Sequence, residues 1–168
     1  MKKAYLDNNV VSAIGKDDTA SESDYLKQLL IAYKGGRVDL VTSELTLNEI
    51  KPYVGKGREQ VESIYELLEK VPVVRWDELL GIHSYGDKYT WINSPLIQND
   101  PLYDSLLKLR LDKPGKVQDA QHVFVASKQK CDVFLTLDRR VLARANDIQR
   151  LCGLVVQKPS EFMASEGC

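Results

Sequence analysis

The stretch "CDVFLTL" (131–137) constrains this chain more than any other. It is apolar at consecutive positions, so a strand formed from it has to be covered on both faces. It lies between "KVQDAQHVFVASKQK" (116–130) and "DRRVLARANDIQRL" (138–151), each of which reads as one helix. In the first, Val117, Ala120, Val123, Phe124 and Ser127 fall along one side. A doubly covered strand flanked by helices belongs to a parallel sheet with right-handed crossovers.

The same alternation runs through the rest of the chain. "KAYLDN" opens as a strand, and "DYLKQLLIAYK" (24–34) is a helix ended by Gly35 and Gly36. "RVDLVTS" is a strand, followed by "SELTLNEIK", a helix with Ser43 at its cap. "GREQVESIYELLEKV" reads as a helix, "VPVVRW" (71–76) as a strand, and a short helix starts at Asp77. "PLYDSLLKLRL" returns to helix and "GLVVQ" is a last strand. The expected fold is α/β, a three-layer α/β/α sandwich around a mainly parallel sheet of about five strands. Residues 1–168 form a single domain, with an irregular insertion around 84–112 that is rich in turn formers and aromatics.

Composition narrows the class without deciding function. The 43% hydrophobic and 28% charged content is that of an ordinary globular chain. No apolar run approaches the ~20 residues of a bilayer span, so no membrane is expected. "MKKAYLDNN" reads as a first strand rather than a signal peptide. Cys131, Cys152 and Cys168 are odd in number and have no metal-like spacing. They are read as free thiols of a reducing, cytoplasmic setting. A net charge of −1 does not itself point to nucleic acid, but an acidic centre beside a basic rim sums to nearly zero.

Such a sheet places its functional crevice beyond the C-terminal strand ends. Asp7 closes the first strand and Asp138 follows a later one, so both project toward that edge. Glu49 lies in the helix after the second strand. Asp119 opens its own helix. Carboxylates gathered at one place repel and raise one another's pKa values, a cost that a divalent cation removes. Oxygen donors with no Cys and little His favour Mg²⁺ or Mn²⁺ over zinc. Thr136, two residues before Asp138 on the same strand face, is placed to orient the Asp138 carboxylate.

"YLDNNVVSAI", "TSELTLNEI", "VQDAQHVFVAS" and "DVFLTLDRRVL" occur in the order and approximate spacing of PIN-domain ribonucleases, which this chain resembles along most of its length. The resemblance implies a PIN-like fold whose acidic quartet is Asp7, Glu49, Asp119 and Asp138, with Thr136 as accessory hydroxyl and Asn8 assisting by hydrogen bonding. It implies Mg²⁺- or Mn²⁺-dependent cleavage of single-stranded or structured RNA by a metal-activated water. Small single-domain members of that family are often dimeric toxins, so a homodimer and an antitoxin protein are the partners implied. The alternative is a non-catalytic PIN-like RNA- or protein-binding module. A phosphotransfer enzyme finds no support, because "LDNNV" is not Asp-x-Asp-x-Thr and no Gly-rich phosphate loop is present.

Several residues carry a plainer reading beside the functional one. Asp138 suits the N-cap of the following helix, and Asp119 complements a helix dipole. Glu44 competes with Glu49, but the two lie roughly 140° apart around a helix and cannot share a face. Glu49 fits the quartet; Glu44 compensates the helix N-terminus. His122 is either a ligand one turn after Asp119 or a helix-surface histidine, and His83 is a weaker candidate. Asp132 and Asp104 read as solvated. Arg139, Arg140 and Arg144 follow the rim, with Arg140 and Arg144 neighbours on one helical face, either contacting RNA phosphates or simply solvated. Tyr85, Tyr89 and Trp91 either stack unpaired bases, pack the insertion onto the core or form a dimer contact.

Overall fold

Five short strands form a sheet in the order β3-β2-β1-β4-β5, and every pairing is parallel. They are β1 (Lys3–Leu6), β2 (Asp39–Ser43), β3 (Val73–Val74), β4 (Val133–Leu135) and β5 (Val155–Gln157). The computed structural model describes residues 1–11, 13, 20–49, 71–74, 100–111 and 118–166, the side chains of 20, 21 and 47–49 excepted. The readings made for the helices of 57–71 and 77 onward, and for most of the insertion at 84–112, lie outside them.

Strict alternation along the strands splits the core into two layers. Ala4 and Leu6 of β1 and Val133 and Leu135 of β4 face one way. There they pack with Val10 and Val11 of α1 (Asn8–Val11), Leu26, Leu29 and Leu30 of α2 (Ala20–Lys34) and Phe162 and Met163 of the C-terminal helix. Tyr5, Phe134 and Val156 face the other way. They meet Tyr103 and Leu106 of α4 (Pro101–Lys108) and Val123 and Phe124 of α5 (Gln118–Lys128). Both faces of the sheet are therefore covered by helices, which is the three-layer α/β/α sandwich that the apolar run of β4 required. Among the described residues, no helix is long and apolar enough to cross a membrane.

Local chemistry accounts for the element ends. Gly36, at φ 69°, ends α2 in a Schellman turn: its N–H donates to the Tyr33 carbonyl, and that of Arg37 to Ala32. Asp100 caps α4 by accepting the Leu102 N–H at 2.9 Å, with Pro101 next in line. The single helix expected over 138–151 is instead two, α6 (Arg139–Ala143) and α7 (Ala145–Cys152). Arg144 leaves the helical region at the junction (φ −107°, ψ 11°). Its carbonyl starts α7 by accepting from Asp147 and Ile148. The kink lets Val141 and Ile148 both reach the same core layer.

The terminal helix, α8 (Pro159–Glu166), was not read from the sequence. Its signal was present: Pro159 stands at the first helical position, and Glu161 reaches back to accept the Lys158 N–H at 3.0 Å.

A candidate active site at the topological switch point

The chain starts in the middle of the sheet with β1, winds out through β2 and β3, then returns to lay β4 on the other side. The order reverses between β1 and β4, and the crevice outside the C-terminal ends of two such strands is where α/β sheets bind ligands. Asp7 is the first residue past β1 and Thr136 the first past β4. The Asp7 N–H donates to the Leu135 carbonyl at 3.1 Å, which carries the ladder one step beyond the strands.

Asp7 is only 1% exposed. Its Oδ1 accepts the Asn8 main-chain N–H at 2.8 Å. Its Oδ2 accepts the Thr136 hydroxyl at 2.6 Å and the Asn9 Nδ2 at 3.2 Å. Burial pushes the Asp7 pKa above the usual carboxylate range, while the neighbouring His122 and these three hydrogen bonds pull it back. Burial wins, although every contact made to the carboxylate comes from a donor. The site is shaped for an ionised carboxylate and does not fully offset the cost of holding one.

The Thr136 hydroxyl joins two carboxylate-bearing segments. It donates to Asp7 and accepts the Asp138 main-chain N–H at 3.0 Å. The expectation that it orients the Asp138 carboxylate is therefore corrected: the proton goes to Asp7, because Thr136 and Asp7 end adjacent strands. Half-buried Asp138 also fulfils its plainer reading. Its Oδ1 caps α6, accepting the N–H groups of Arg140 at 2.7 Å and Val141 at 3.4 Å.

Asp119 is half-buried in the first turn of α5, one turn before His122. His122 is not the surface residue of the plainer reading: it is 1% exposed. Its Nδ1 lies 2.7 Å from the Tyr5 hydroxyl, which lies 2.6 Å from Ser43 Oγ. Burial raises the Tyr5 pKa well above the ordinary phenol range.

Glu49 is the last residue of α3 (Glu44–Glu49), one turn after the buried Thr46, and its side chain lies outside the described residues. The Thr46 and Thr42 hydroxyls reach the Leu6 carbonyl at 3.4 and 3.1 Å, so α3 and β2 are both tied to the residue before Asp7. Glu44 occupies the first turn of α3.

Arg139, Arg140 and Arg144 are all exposed. Arg140 and Arg144 do not share a helical face as expected, since α6 ends before Arg144, which reaches Asp147 at 3.5 Å. Asp104 is exposed in α4, and exposed Asp132 accepts the Lys3 main-chain N–H at 2.8 Å. His83, Tyr85, Tyr89 and Trp91 lie outside the described residues.

Asn8, expected to assist by hydrogen bonding, donates its main-chain N–H to Asp7, and Asn9, given no role in the sequence reading, adds a side-chain donor. Sequence reasoning also missed Tyr5 and Ser43. Tyr5 had a usable signal, since it lies two residues before Asp7 and hence on the same face of β1.

Among the described residues, no three His, Cys, Asp or Glu side chains surround one point as a ready cation cage. The segment bridged by Thr136 offers hard oxygen donors and a buried carboxylate short of compensating charge. That chemistry fits a magnesium- or manganese-sized ion better than zinc. Buried Cys131 is too far down the fold to serve as a thiolate donor: it precedes β4, and burial pushes its thiol up to about 12. No protein-family model, no curated protein and no solved structure matches the chain.

Proposed function

We propose that the chain is a Mg²⁺- or Mn²⁺-dependent endoribonuclease that cleaves single-stranded RNA. The observation carrying this reading is the buried Asp7 carboxylate at the β1/β4 switch point, bridged by Thr136 to the segment that presents Asp138. A buried carboxylate at the functional edge of an α/β sheet is a poor structural element and a good ligand. The resemblance to PIN-domain ribonucleases supplies the substrate class and adds Asp119 and Glu49 to the ligand set.

In this reading Asp7, Asp119 and Asp138 would hold the ion, and Glu49 would complete the set or help position the attacking water. A bound ion supplies an acidified, oriented water and neutralises charge developing on the phosphate. Thr136 and the Asn8 N–H fix the two Asp7 oxygens, so the anchor carboxylate is oriented before RNA arrives. Arg139 and Arg140, exposed just behind Asp138, contribute sequence-independent, salt-sensitive affinity for the RNA backbone. In-line displacement leaves a 3′-hydroxyl and a 5′-phosphate.

The direct test is cleavage of a single-stranded RNA with Mg²⁺ by the wild type, Asp7→Asn and Asp138→Asn. The expected result is loss of at least ~10²-fold in rate for Asp7→Asn, the size typical of removing a group that stabilises transition-state charge. Equal cleavage by all three proteins would contradict the proposal. A toxin role, with a homodimeric state and an antitoxin partner, predicts growth arrest on expression that Asp7→Asn relieves.

A non-catalytic binding module is the second reading, favoured by the structural use of Asp138 Oδ1 as a helix cap. Titration calorimetry with Mn²⁺ separates the two. The enzyme takes up metal with an affinity that Asp7→Asn abolishes, and a scaffold shows no such dependence.

A further inference from the structure

Tyr5, Ser43 and His122 form a buried polar bridge between three elements. Ser43 ends β2, Tyr5 sits in β1 and His122 lies in α5. The two contacts, at 2.6 and 2.7 Å, are short and fully enclosed, with Tyr5 and Ser43 each 0% exposed. Stacking on Phe134, with ring centroids 5.3 Å apart and planes 7° from parallel, holds the Tyr5 ring, and the His122 ring meets it edge-on. Such a bridge is costly to bury, and an apolar pair would fill the same space.

Its place in the fold gives it a use. Asp7 follows β1 two residues after Tyr5, and its N–H continues the ladder to β4, so the two project to the same side with Asp7 about 6.6 Å further toward the carboxyl edge. Asp119 and His122 are three apart in α5, on one side of the helix, with a rise of about 4.5 Å between them. The helix α5 leads into β4, which is parallel to β1, so α5 runs antiparallel to both. Moving from His122 to Asp119 is therefore motion in the same direction as moving from Tyr5 to Asp7. The strand and the helix are pinned to each other at Tyr5 and His122, one step below the level of the two carboxylates.

We infer that Tyr5 and His122 are positioning residues, whose hydrogen bond sets the register of α5 on β1 and thereby brings Asp119 to the metal-binding rim beside Asp7. This rests on the proposed nuclease reading and assigns it two residues that touch neither RNA nor metal. Sliding α5 by a fraction of a turn would carry Asp119 away from Asp7 and break the Tyr5–His122 contact. The polar bridge adds a directional constraint of its own to the close packing of Val123 and Phe124.

The test compares Tyr5→Phe, His122→Leu and His122→Asn with the wild type. Tyr5→Phe keeps the stacked ring and removes only the hydroxyl. His122→Asn keeps a polar atom near the Nδ1 position, and His122→Leu removes it. Calorimetric titration with Mn²⁺ alone is the primary readout, with kcat and KM for RNA cleavage alongside and the unfolding midpoint as a control for folding. The expected result is Mn²⁺ affinity lowered about 10-fold or more in Tyr5→Phe and His122→Leu, as for lost supports of metal ligands, with Asn restoring most of it. The kcat should fall and KM stay unchanged.

Mn²⁺ binding by Tyr5→Phe within about twofold of wild type would overturn the inference, and so would an Asn variant as weak as the Leu variant. If Tyr5→Phe fails to fold, the Asn–Leu comparison decides alone. A wild type that takes up no Mn²⁺ would remove the nuclease reading itself and this inference with it.

Discussion

The Thr136 hydroxyl lies 2.6 Å from Asp7 Oδ2, a contact that joins residues 129 positions apart across the seam where the sheet reverses its order. The contact holds both strand ends at once, since the same hydroxyl accepts the Asp138 N–H. One oxygen thus orients the buried carboxylate of β1 and shapes the turn leaving β4.

Thr136→Val is nearly isosteric and removes that oxygen. Asp7 Oδ2 loses its nearest donor and the half-buried Asp138 N–H loses its acceptor, a loss on the order of 1–3 kcal/mol. In a chain of this size, the unfolding midpoint should fall by roughly 2–4 °C for each kcal/mol. Thr136→Ser should recover most of the loss. Thermal unfolding followed by circular dichroism checks it, and an unchanged midpoint for the Val variant would refute the role of the hydroxyl.

The raised pKa of Asp7 gives stability a definite pH dependence in the absence of divalent metal. Below the ordinary value of 3.8 the group is protonated in both the folded and unfolded chain. As pH rises past that value the unfolded chain releases its proton first, so the unfolded state gains and stability falls. The loss is complete once pH exceeds the folded-state pKa. Midpoints for the wild type and Asp7→Asn, measured in chelator from pH 4 to 8, should therefore diverge in favour of Asn as pH rises. Added Mg²⁺ should raise the wild-type midpoint and leave the Asn variant unmoved. A wild type whose advantage over Asn grows with pH in chelator would contradict the burial cost.

Lys130 occupies a left-handed position, φ 54°, at the end of α5, where the Cys131 N–H donates to the Ala126 carbonyl at 3.0 Å. A residue with a Cβ pays about 1–2 kcal/mol there, which glycine avoids. Lys130→Gly should therefore raise the midpoint, with a net gain below ~1 kcal/mol after the greater backbone entropy of glycine in the unfolded chain. Denaturant unfolding measures it, and a destabilised Gly variant would show that the Lys130 side chain contributes more than its conformation costs.

The sheet was legible because its evidence is local. The apolar run at 133–135 and the helical spacing around it required a doubly covered parallel strand, and β4 is one. Asp7 and Asp138 were legible at the carboxyl edge because strand ends are marked by the first polar residue. The proton on Thr136 was not, since its destination depends on which strand lies beside β4, and sequence order does not reveal that β1 does. His122 was misjudged for a related reason. Helical spacing gives its angle around α5 but not the depth to which the sheet swallows that face, and Tyr5 supplies its partner from 117 residues away. The break at Arg144 is likewise tertiary: continuous helix propensity yields so that Val141 and Ile148 can share one core layer.

The central claim is that Asp7 anchors a divalent ion together with carboxylates from distant parts of the chain. A crystal structure of the protein soaked in Mn²⁺, with anomalous scattering used to place the ion, tests it most directly. The account predicts a manganese peak bonded to Asp7, with Asp119 and Asp138 bound directly or through one water and Glu49 facing the same ion. An ordered site with no manganese at Asp7, or with these four side chains directed to separate parts of the surface, would contradict it.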